Sequence, residues 1–192
     1  MTDRQPARST PLLPQCDWFT HSLAVLPASV AGWLHDMRST TAKFKQRSRC
    51  LQIECCFEGR VASRDLGAEA LVLPRSVDVV WLREVLMIAD GMPWLYGRTL
   101  IPQPLLEHAE LGLTTLGTTP LGERLFNLPV PPQRSDIEVA VVTPPLVLVT
   151  RVAAPPRQPW WARRSRLMLP QGSLFVTDLF LPACPIYQET HE

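Results

Sequence analysis

The sequence lacks the features that mark several large classes of protein. Its 192 residues hold 19 Lys and Arg against 18 Asp and Glu, which leaves no basic excess to bind nucleic-acid phosphates. The longest apolar candidate, residues 139–149, is interrupted by Pro144 and Pro145 and is too short to span a bilayer. The N-terminus has no apolar stretch typical of a signal peptide. We therefore expect a cytoplasmic protein that binds neither nucleic acid nor membrane.

Motifs for metals and organic cofactors are also missing. The five cysteines include no C-x-x-C pair and the four histidines are scattered, so neither a disulfide framework nor a zinc site is indicated. No G-x-G-x-x-G or P-loop motif occurs, and no G-x-S-x-G marks a nucleophilic serine. An enzyme with this sequence is expected to act without metal, cofactor or covalent intermediate.

Two short helices are predicted near the N-terminus. Ser29 is a candidate N-cap for the first, whose expected buried stripe consists of Val30, Trp33, Leu34 and Met37. Ser39 is a candidate N-cap for the second, over residues 40–47. Such a pair resembles a DNA-reading helix-turn-helix, but without a basic face it is more typical of packing or of a lid.

Most of the remaining sequence alternates like half-buried strands. The predicted strand segments are residues 51–57, a hairpin over 81–102 that turns at Asp90-Gly91, segments 137–142 and 146–152, and a hairpin over 165–182. Residues 58–76 have a loop-like pattern, and a helix over 120–127 is predicted to have Thr119 as N-cap and Pro120 as its first residue.

The order of these elements shows no strand–helix alternation. It predicts an α+β fold with an antiparallel sheet and helices on one side or end. We expect a single domain over residues 16–187, after a flexible segment 1–15 and before a polar tail 188–192. A monomer is expected.

Each of the two long hairpins carries one charge on an apolar strand face. Arg83 shares a face with Val85 and Met87, and Asp178 shares a face with Val176 and Phe180. An unpaired charge in such a position costs several kcal/mol, so each needs a partner or a ligand. A small and mostly apolar anion would suit this pair. The alternative is that Arg83 pairs with an acid only to hold the sheet together.

The predicted helix start at Pro120 provides a second element that favours anions. Its free backbone N–H groups lie at the positive end of the helix dipole. Leu121 is in this first turn, where its main chain could bond a ligand.

Several linked motifs resemble the chorismate lyase family in their order and approximate spacing. They are Trp81-Leu-Arg-Glu84, Asp90-Gly-x-Pro-Trp-Leu95, Gly97-Arg-Thr-x-x-Pro102, Leu116-Gly-x-Thr-Pro-Leu-Gly122, Leu125-Phe126, Arg163-Arg-Ser-Arg166 and Leu179-Phe-Leu-Pro-Ala183. The resemblance extends from about residue 17 to residue 187 and is strongest from Trp81 onward. It implies an antiparallel sheet with helical flaps over an internal ligand cavity. It also implies the cofactor-free cleavage of chorismate to 4-hydroxybenzoate and pyruvate, which opens ubiquinone synthesis.

The resemblance also assigns roles to residues. Arg83 matches the arginine that binds the substrate carboxylate, and Leu121 matches a residue that contacts ligand through its backbone. Asp178 stands where the family has glutamate, and Thr40 stands where relatives carry a flap methionine. The shorter Asp178 reaches about 1.5 Å less than glutamate, and an error of this size can cost roughly a hundredfold in rate.

Two further expectations follow from the resemblance. Residues 139–158 are expected to be an insertion relative to the family. The same fold also serves as an effector-binding domain in transcription regulators, so a non-catalytic binder of a small aromatic carboxylate is the alternative function. Such regulators carry a separate DNA-binding domain, for which the roughly 28 residues before the first predicted helix leave too little room.

Overall fold

The chain folds around one antiparallel sheet flanked by short helices. The computed structural model describes residues 17–20, 26–154 and 159–187. The strands are β1 Phe19–Thr20, β2 Leu51–Ala62, β3 Val79–Ala89, β4 Met92–Pro102, β5 Gln133–Arg134, β6 Glu138–Val142, β7 Trp160–Leu169 and β8 Gly172–Phe180. The helices are α1 Ala28–Leu34, α2 Thr40–Arg47, α3 Gln103–Leu106, α4 Leu121–Phe126 and α5 Leu146–Arg151, with 3₁₀ segments at Ser63–Val72, Ala109–Leu111 and Pro185–Tyr187.

The sheet confirms the α+β prediction. Its strand order is β1-β6-β7-β8-β4-β3-β2, β5 also pairs with β7, and the pairings are antiparallel. The β3–β4 hairpin turns at Asp90 and Gly91, whose φ angles of 49° and 81° are those of a tight left-handed turn. Two long central hairpins therefore stand side by side, and β4 joins them by pairing with β8.

The two predicted N-terminal helices are present, with one correction. Helix α2 covers the predicted residues, and Ser39 Oγ caps it by accepting the Ala42 N–H. Helix α1 begins after Pro27, so the N-cap prediction for Ser29 is wrong. The helix ends at Leu34, and Met37 beyond it is 43% exposed, so Met37 is not part of the buried stripe. The other three predicted stripe residues do pack into the core, beside Phe44 and Phe180.

Other boundaries also differ from the sequence prediction. Strand β2 continues to Ala62 and is followed by a 3₁₀ segment, where a loop was predicted. Strand β7 begins at Trp160, five residues before the predicted start. Helix α4 begins at Leu121 with Pro120 as its N-cap, one residue later than predicted, and Thr119 precedes it.

The segment 146–152 forms a helix, α5, where a strand was predicted. The carbonyl of Pro145 accepts the N–H groups of Leu148 and Val149, which begins the helix. In a helix, residues three or four positions apart share a face. Leu148 and Val149 lie on the buried face of α5 and pack into a cluster with Trp160. Tertiary packing has overridden the β propensity of a Val-rich segment. The expected insertion, residues 139–158, thus includes part of β6 and all of α5, while residues 155–158 lie outside the described ranges.

The helices are short throughout the described part of the chain. None of them has both the length and the apolar character that crossing a membrane would require.

Candidate active site

A cavity lies on one face of the central hairpins, under helices α2 and α4. The four residues predicted for the site, Thr40, Arg83, Leu121 and Asp178, all line it. Apolar side chains from the same strands, among them Val85, complete the lining. The structure therefore brings together side chains that are up to 138 positions apart in sequence.

Strand register explains why the two charges meet. One cross-strand row contains Arg83, Thr99, Val176 and Ser165, and the next row contains Val85, Gly97, Asp178 and Arg163. Directly opposed residues share a face of the sheet, so both rows look into the cavity. Arg83 and Asp178 are two strands apart, roughly 10 Å at the usual interstrand spacing. Gly97 carries no side chain, which leaves the floor between them open.

The guanidinium of Arg83 is fixed through Nη2, whereas Nη1 remains available to a ligand. Its side chain is 2% exposed, and Nη2 donates to the carbonyls of Gly117 and Thr119 at 2.8 and 3.1 Å. Nε lies 3.5 Å from Glu58 Oε1. Nη1 has no hydrogen bond among the described residues, so one N–H pair is left for a ligand. Burial lowers the pKa of the Arg83 guanidinium, and the Glu58 carboxylate opposes this shift.

Glu58 is a site residue that the alternation pattern missed. Strict alternation places it on the face of Gln52 and Glu54, but the register shifts between Cys55 and Phe57. This bulge sets Glu58 opposite Arg83. The alternative that Arg83 pairs with an acid to hold the sheet together is therefore partly supported, because the Glu58 carboxylate lies close by. The 3.5 Å distance exceeds a hydrogen bond, so the pairing leaves Arg83 only partly satisfied.

Asp178 has a full ion-pair partner that sequence reasoning did not single out. Arg163 Nε donates to Asp178 Oδ2 at 3.0 Å, and the two side chains are 2% and 6% exposed. The run Arg163–Arg166 resembles a solvated charge cluster, and the predicted hairpin began too late to place Arg163 inside a strand. Its position two residues after Trp161, on the same strand face, was the available signal.

Arg163 ties helices α1 and α2 to the sheet. Nη1 donates to the carbonyls of Trp33, Leu34 and Asp36, at 3.2, 3.4 and 2.8 Å, in the link between α1 and α2. Nη2 donates to Thr40 Oγ1 at 2.5 Å. Every donor-bearing nitrogen of this guanidinium is thus occupied inside the protein.

Thr40 contributes its side-chain hydroxyl to the site. Its hydroxyl donates to Asp178 Oδ2 at 3.0 Å while it accepts from Arg163. Both bonds to Asp178 go to Oδ2, and Oδ1 has no hydrogen bond in the described ranges. That oxygen is the acceptor left for a ligand at this end of the cavity.

Helix α4 closes over the cavity through a glycine. A Cβ on Gly122 would lie 2.5 Å from Ser39 Oγ and 3.1 Å from Thr41 Oγ1, so only glycine allows α4 to approach the start of α2 this closely. The first helical bond in α4 runs from the Arg124 N–H to the Pro120 carbonyl. The N–H groups of Leu121 and Gly122 precede that bond and border the cavity.

A third arginine, Arg134, completes the charged lining of the cavity. Within the described ranges, no group of three His, Cys, Asp or Glu side chains is arranged to hold a metal ion. The arrangement is thus a largely apolar cavity with two separated cationic groups and one carboxylate, suited to hold an anionic ring and to orient its polar substituents.

Three solved structures and several protein sequences are similar to this chain. The effector domain of PhnF from Mycobacterium smegmatis superposes with a TM-score of 0.56 and 14% identity, over 76% of this chain and 90% of that domain. A ligand-binding domain of a putative GntR-family transcriptional regulator from Bordetella bronchiseptica gives 0.55 and 16%, over 70% and 86%. Another structure, of PhnF from Mycobacterium smegmatis, gives 0.55 and 14%, over 76% of this chain and 64% of that chain. At such identities these structures show a shared fold alone.

The sequence comparisons are closer and more specific. A probable chorismate pyruvate-lyase of Bartonella quintana (strain Toulouse) is 38% identical over 177 residues, 92% of each chain. The chorismate pyruvate-lyase of Serratia proteamaculans (strain 568) is 39% identical over 92% of this chain and 91% of its own, and that of Pectobacterium atrosepticum is 36% identical over 92% and 90%. The chorismate lyase family profile matches residues 12–192. With nearly the whole length matched at these identities, the chain belongs to the chorismate lyase family.

Proposed function

We propose that the protein cleaves chorismate to 4-hydroxybenzoate and pyruvate in the cavity between Arg83 and Asp178. The observation that carries the proposal is the pair of ligand-ready atoms, Arg83 Nη1 and Asp178 Oδ1, at opposite ends of an apolar floor. The relatives named chorismate pyruvate-lyase support the same reaction.

The chemistry demands little of the protein. Chorismate is a dianion whose ring bears an enolpyruvyl ether beside a carbon that carries a hydroxyl. The ether C–O bond breaks and its electron pair leaves with the enolpyruvate oxygen. The hydrogen on the hydroxyl-bearing carbon leaves as a proton, and its electron pair completes the aromatic ring of 4-hydroxybenzoate. Enolpyruvate then takes up a proton at its methylene carbon and becomes pyruvate. Since aromatisation supplies the driving force, positioning and electrostatic stabilisation suffice.

Each of the four predicted site residues has a role in this reaction. Arg83 binds the ring carboxylate through Nη1, with Nη2 fixed by the Gly117 and Thr119 carbonyls. Asp178 Oδ1 accepts a hydrogen bond from the ring hydroxyl, while Arg163 and Thr40 donate to Oδ2. The main chain at Leu121 contacts the ligand from the helix α4 side.

The shorter side chain of Asp178 is compatible with these roles. Arg163 and Thr40 fix the carboxylate on the floor beside Gly97, where no side chain intervenes. We propose that the open floor lets the ring settle closer to Asp178 and offsets the missing methylene. In cells the reaction would supply 4-hydroxybenzoate for ubiquinone synthesis, and we place it in the cytoplasm.

The test is to incubate the purified protein with chorismate and to quantify 4-hydroxybenzoate and pyruvate. We expect the two products in equal amounts. The alternative, a non-catalytic binder of an aromatic carboxylate, is favoured by the fold shared with effector domains. Tight binding of 4-hydroxybenzoate without any pyruvate release would replace the lyase proposal with that one.

A further inference from the structure

Arg134 is a half-buried cation that lines the cavity, and its charge has no ion-pair partner among the described residues. Its Nε donates to the Met37 carbonyl at 3.2 Å, and Nη1 donates to Ser165 Oγ. No carboxylate of the described residues lies within ion-pair distance of it. Nη2 makes no hydrogen bond there, although the side chain lines the cavity. Burial, with the Arg163 charge nearby, lowers the pKa of Arg134 to about 10, so the group remains cationic at neutral pH.

Among the charged side chains around the cavity, Arg134 carries the one positive charge that no described carboxylate balances. Arg83 faces Glu58 at 3.5 Å, and Arg163 is paired with Asp178 at 3.0 Å. These four groups cancel, which leaves one positive charge on Arg134. Even a half-buried cation without a counter-ion carries a desolvation cost, which a ligand carboxylate would offset.

The position of Arg134 matches a second anionic group on the substrate. Ser165, to which it donates, ends the cross-strand row that begins at Arg83, three strands or roughly 14 Å away. Asp178 is on the neighbouring row between them. With the ring carboxylate on Arg83 and the ring hydroxyl on Asp178, one of the two orientations of the ring about this axis directs the adjacent ether toward Arg134.

We propose that Arg134 binds the carboxylate of the enolpyruvyl group and thereby distinguishes the dianionic substrate from the monoanionic product. This inference rests on the proposed function. Chorismate bears two carboxylates and 4-hydroxybenzoate bears one, so the Arg134 contact is made by the substrate and is lost when pyruvate departs. An arginine is suited to this role because its planar fork presents two N–H donors to a carboxylate.

The experiment uses two ligands that differ in one carboxylate. A stable dianion, 3-(carboxymethoxy)-4-hydroxybenzoate, imitates the substrate and requires no catalysis, and 4-hydroxybenzoate imitates the ring alone. Calorimetry measures both dissociation constants for the wild type, Arg134→Gln, Arg134→Lys and the control Arg166→Gln, which alters an exposed arginine nearby. Chorismate KM is measured for the same proteins.

We expect Arg134→Gln to weaken binding of the dianion, and to raise chorismate KM, by about tenfold or more, with 4-hydroxybenzoate affected less than about threefold. Arg134→Lys should recover part of the loss, and Arg166→Gln should match the wild type. Equal weakening of both ligands by Arg134→Gln would overturn the proposal, because it would mean that Arg134 acts only by holding the link at Met37. A wild-type protein that binds the dianion through Arg134 but releases no pyruvate would sustain this inference and refute the lyase function.

Discussion

Arg83 lines one end of the cavity and Arg163 pairs with Asp178 at the other end. The two arginines are equally buried, at 2% exposure each, but their surroundings differ. Arg163 has every nitrogen engaged, with Asp178, Thr40 and three carbonyls of the α1–α2 link. Arg83 has two carbonyls on one nitrogen, an acid at 3.5 Å, and a terminal nitrogen with no hydrogen bond to any described residue. Burial therefore does not identify a ligand-binding arginine, whereas unused hydrogen-bonding capacity does.

The strongest test of this contrast removes Arg83 together with its acid. Arg83→Met combined with Glu58→Gln leaves neither group charged, so the fold should survive, with its melting temperature lowered only by the loss of the bonds to the Gly117 and Thr119 carbonyls. Removing the carboxylate anchor should lower kcat/KM for chorismate by about a hundredfold to a thousandfold. Steady-state kinetics and thermal melting measure the two effects. Retained activity would show that the carboxylate is bound elsewhere.

Arg163→Met should reduce stability more than the Arg83→Met/Glu58→Gln double variant does. It leaves Asp178 buried without its ion-pair partner. It also removes the hydrogen bonds by which Arg163 holds the carbonyls of the link between α1 and α2. Breaking a buried pair in this way costs about 3–5 kcal/mol of unfolding free energy. Urea denaturation of Arg163→Met beside the Arg83 double variant measures this. Similar losses in both proteins would remove the distinction between the two ends.

A substitution in helix α4, which covers the cavity, should have a smaller effect on stability and on product release. Gly122→Ala places a Cβ against Ser39 Oγ, which caps α2, so the two helices must separate or the cap must be lost. Loss of such a cap costs about 1 kcal/mol, and we expect 4-hydroxybenzoate to be released some five to ten times faster. Stopped-flow displacement measures the rate. Gly32→Ala is the control, because a Cβ at Gly32 meets nothing within 4 Å.

The smallest expected effect lies on the outer surface of the same helices. Lys45 and Glu123 join α2 to α4 at 2.6 Å, and their side chains are 50% and 43% exposed. An exposed pair contributes about 0–1 kcal/mol, so Glu123→Lys should speed product release less than about fivefold. The double exchange Lys45→Glu with Glu123→Lys should restore the wild-type rate. A larger change would mean that surface charge, and not packing at Gly122, holds the helices together.

Local signals predicted some of the structure well. The Ser39 cap and the Asp90-Gly91 turn depend on neighbouring residues in the chain, and both are present as expected. The four predicted site residues share one cavity. Strand alternation predicted the faces of Arg83 and Asp178, whereas Leu121 came from the predicted helix start and Thr40 from the family resemblance alone.

The partners of those charges could not be predicted in the same way. Glu58 reaches Arg83 only because of a bulge in the β2–β3 ladder, which alternation within one strand does not reveal. Arg163 and Asp178 meet through the β7–β8 register, which depends on a strand start at Trp160 rather than at Ser165. The helix at Leu146–Arg151 follows from packing against the core and not from the propensity of its residues.

The central claim is that Arg83 and Asp178 bind opposite ends of one aromatic acid. A crystal structure of the protein with 4-hydroxybenzoate tests it most directly. We predict the ligand carboxylate within about 3 Å of Arg83 Nη1 and the phenolic oxygen at hydrogen-bond distance from Asp178 Oδ1. A carboxylate bound instead at Arg134, or a ring outside the floor formed by Val85 and Gly97, would contradict the account.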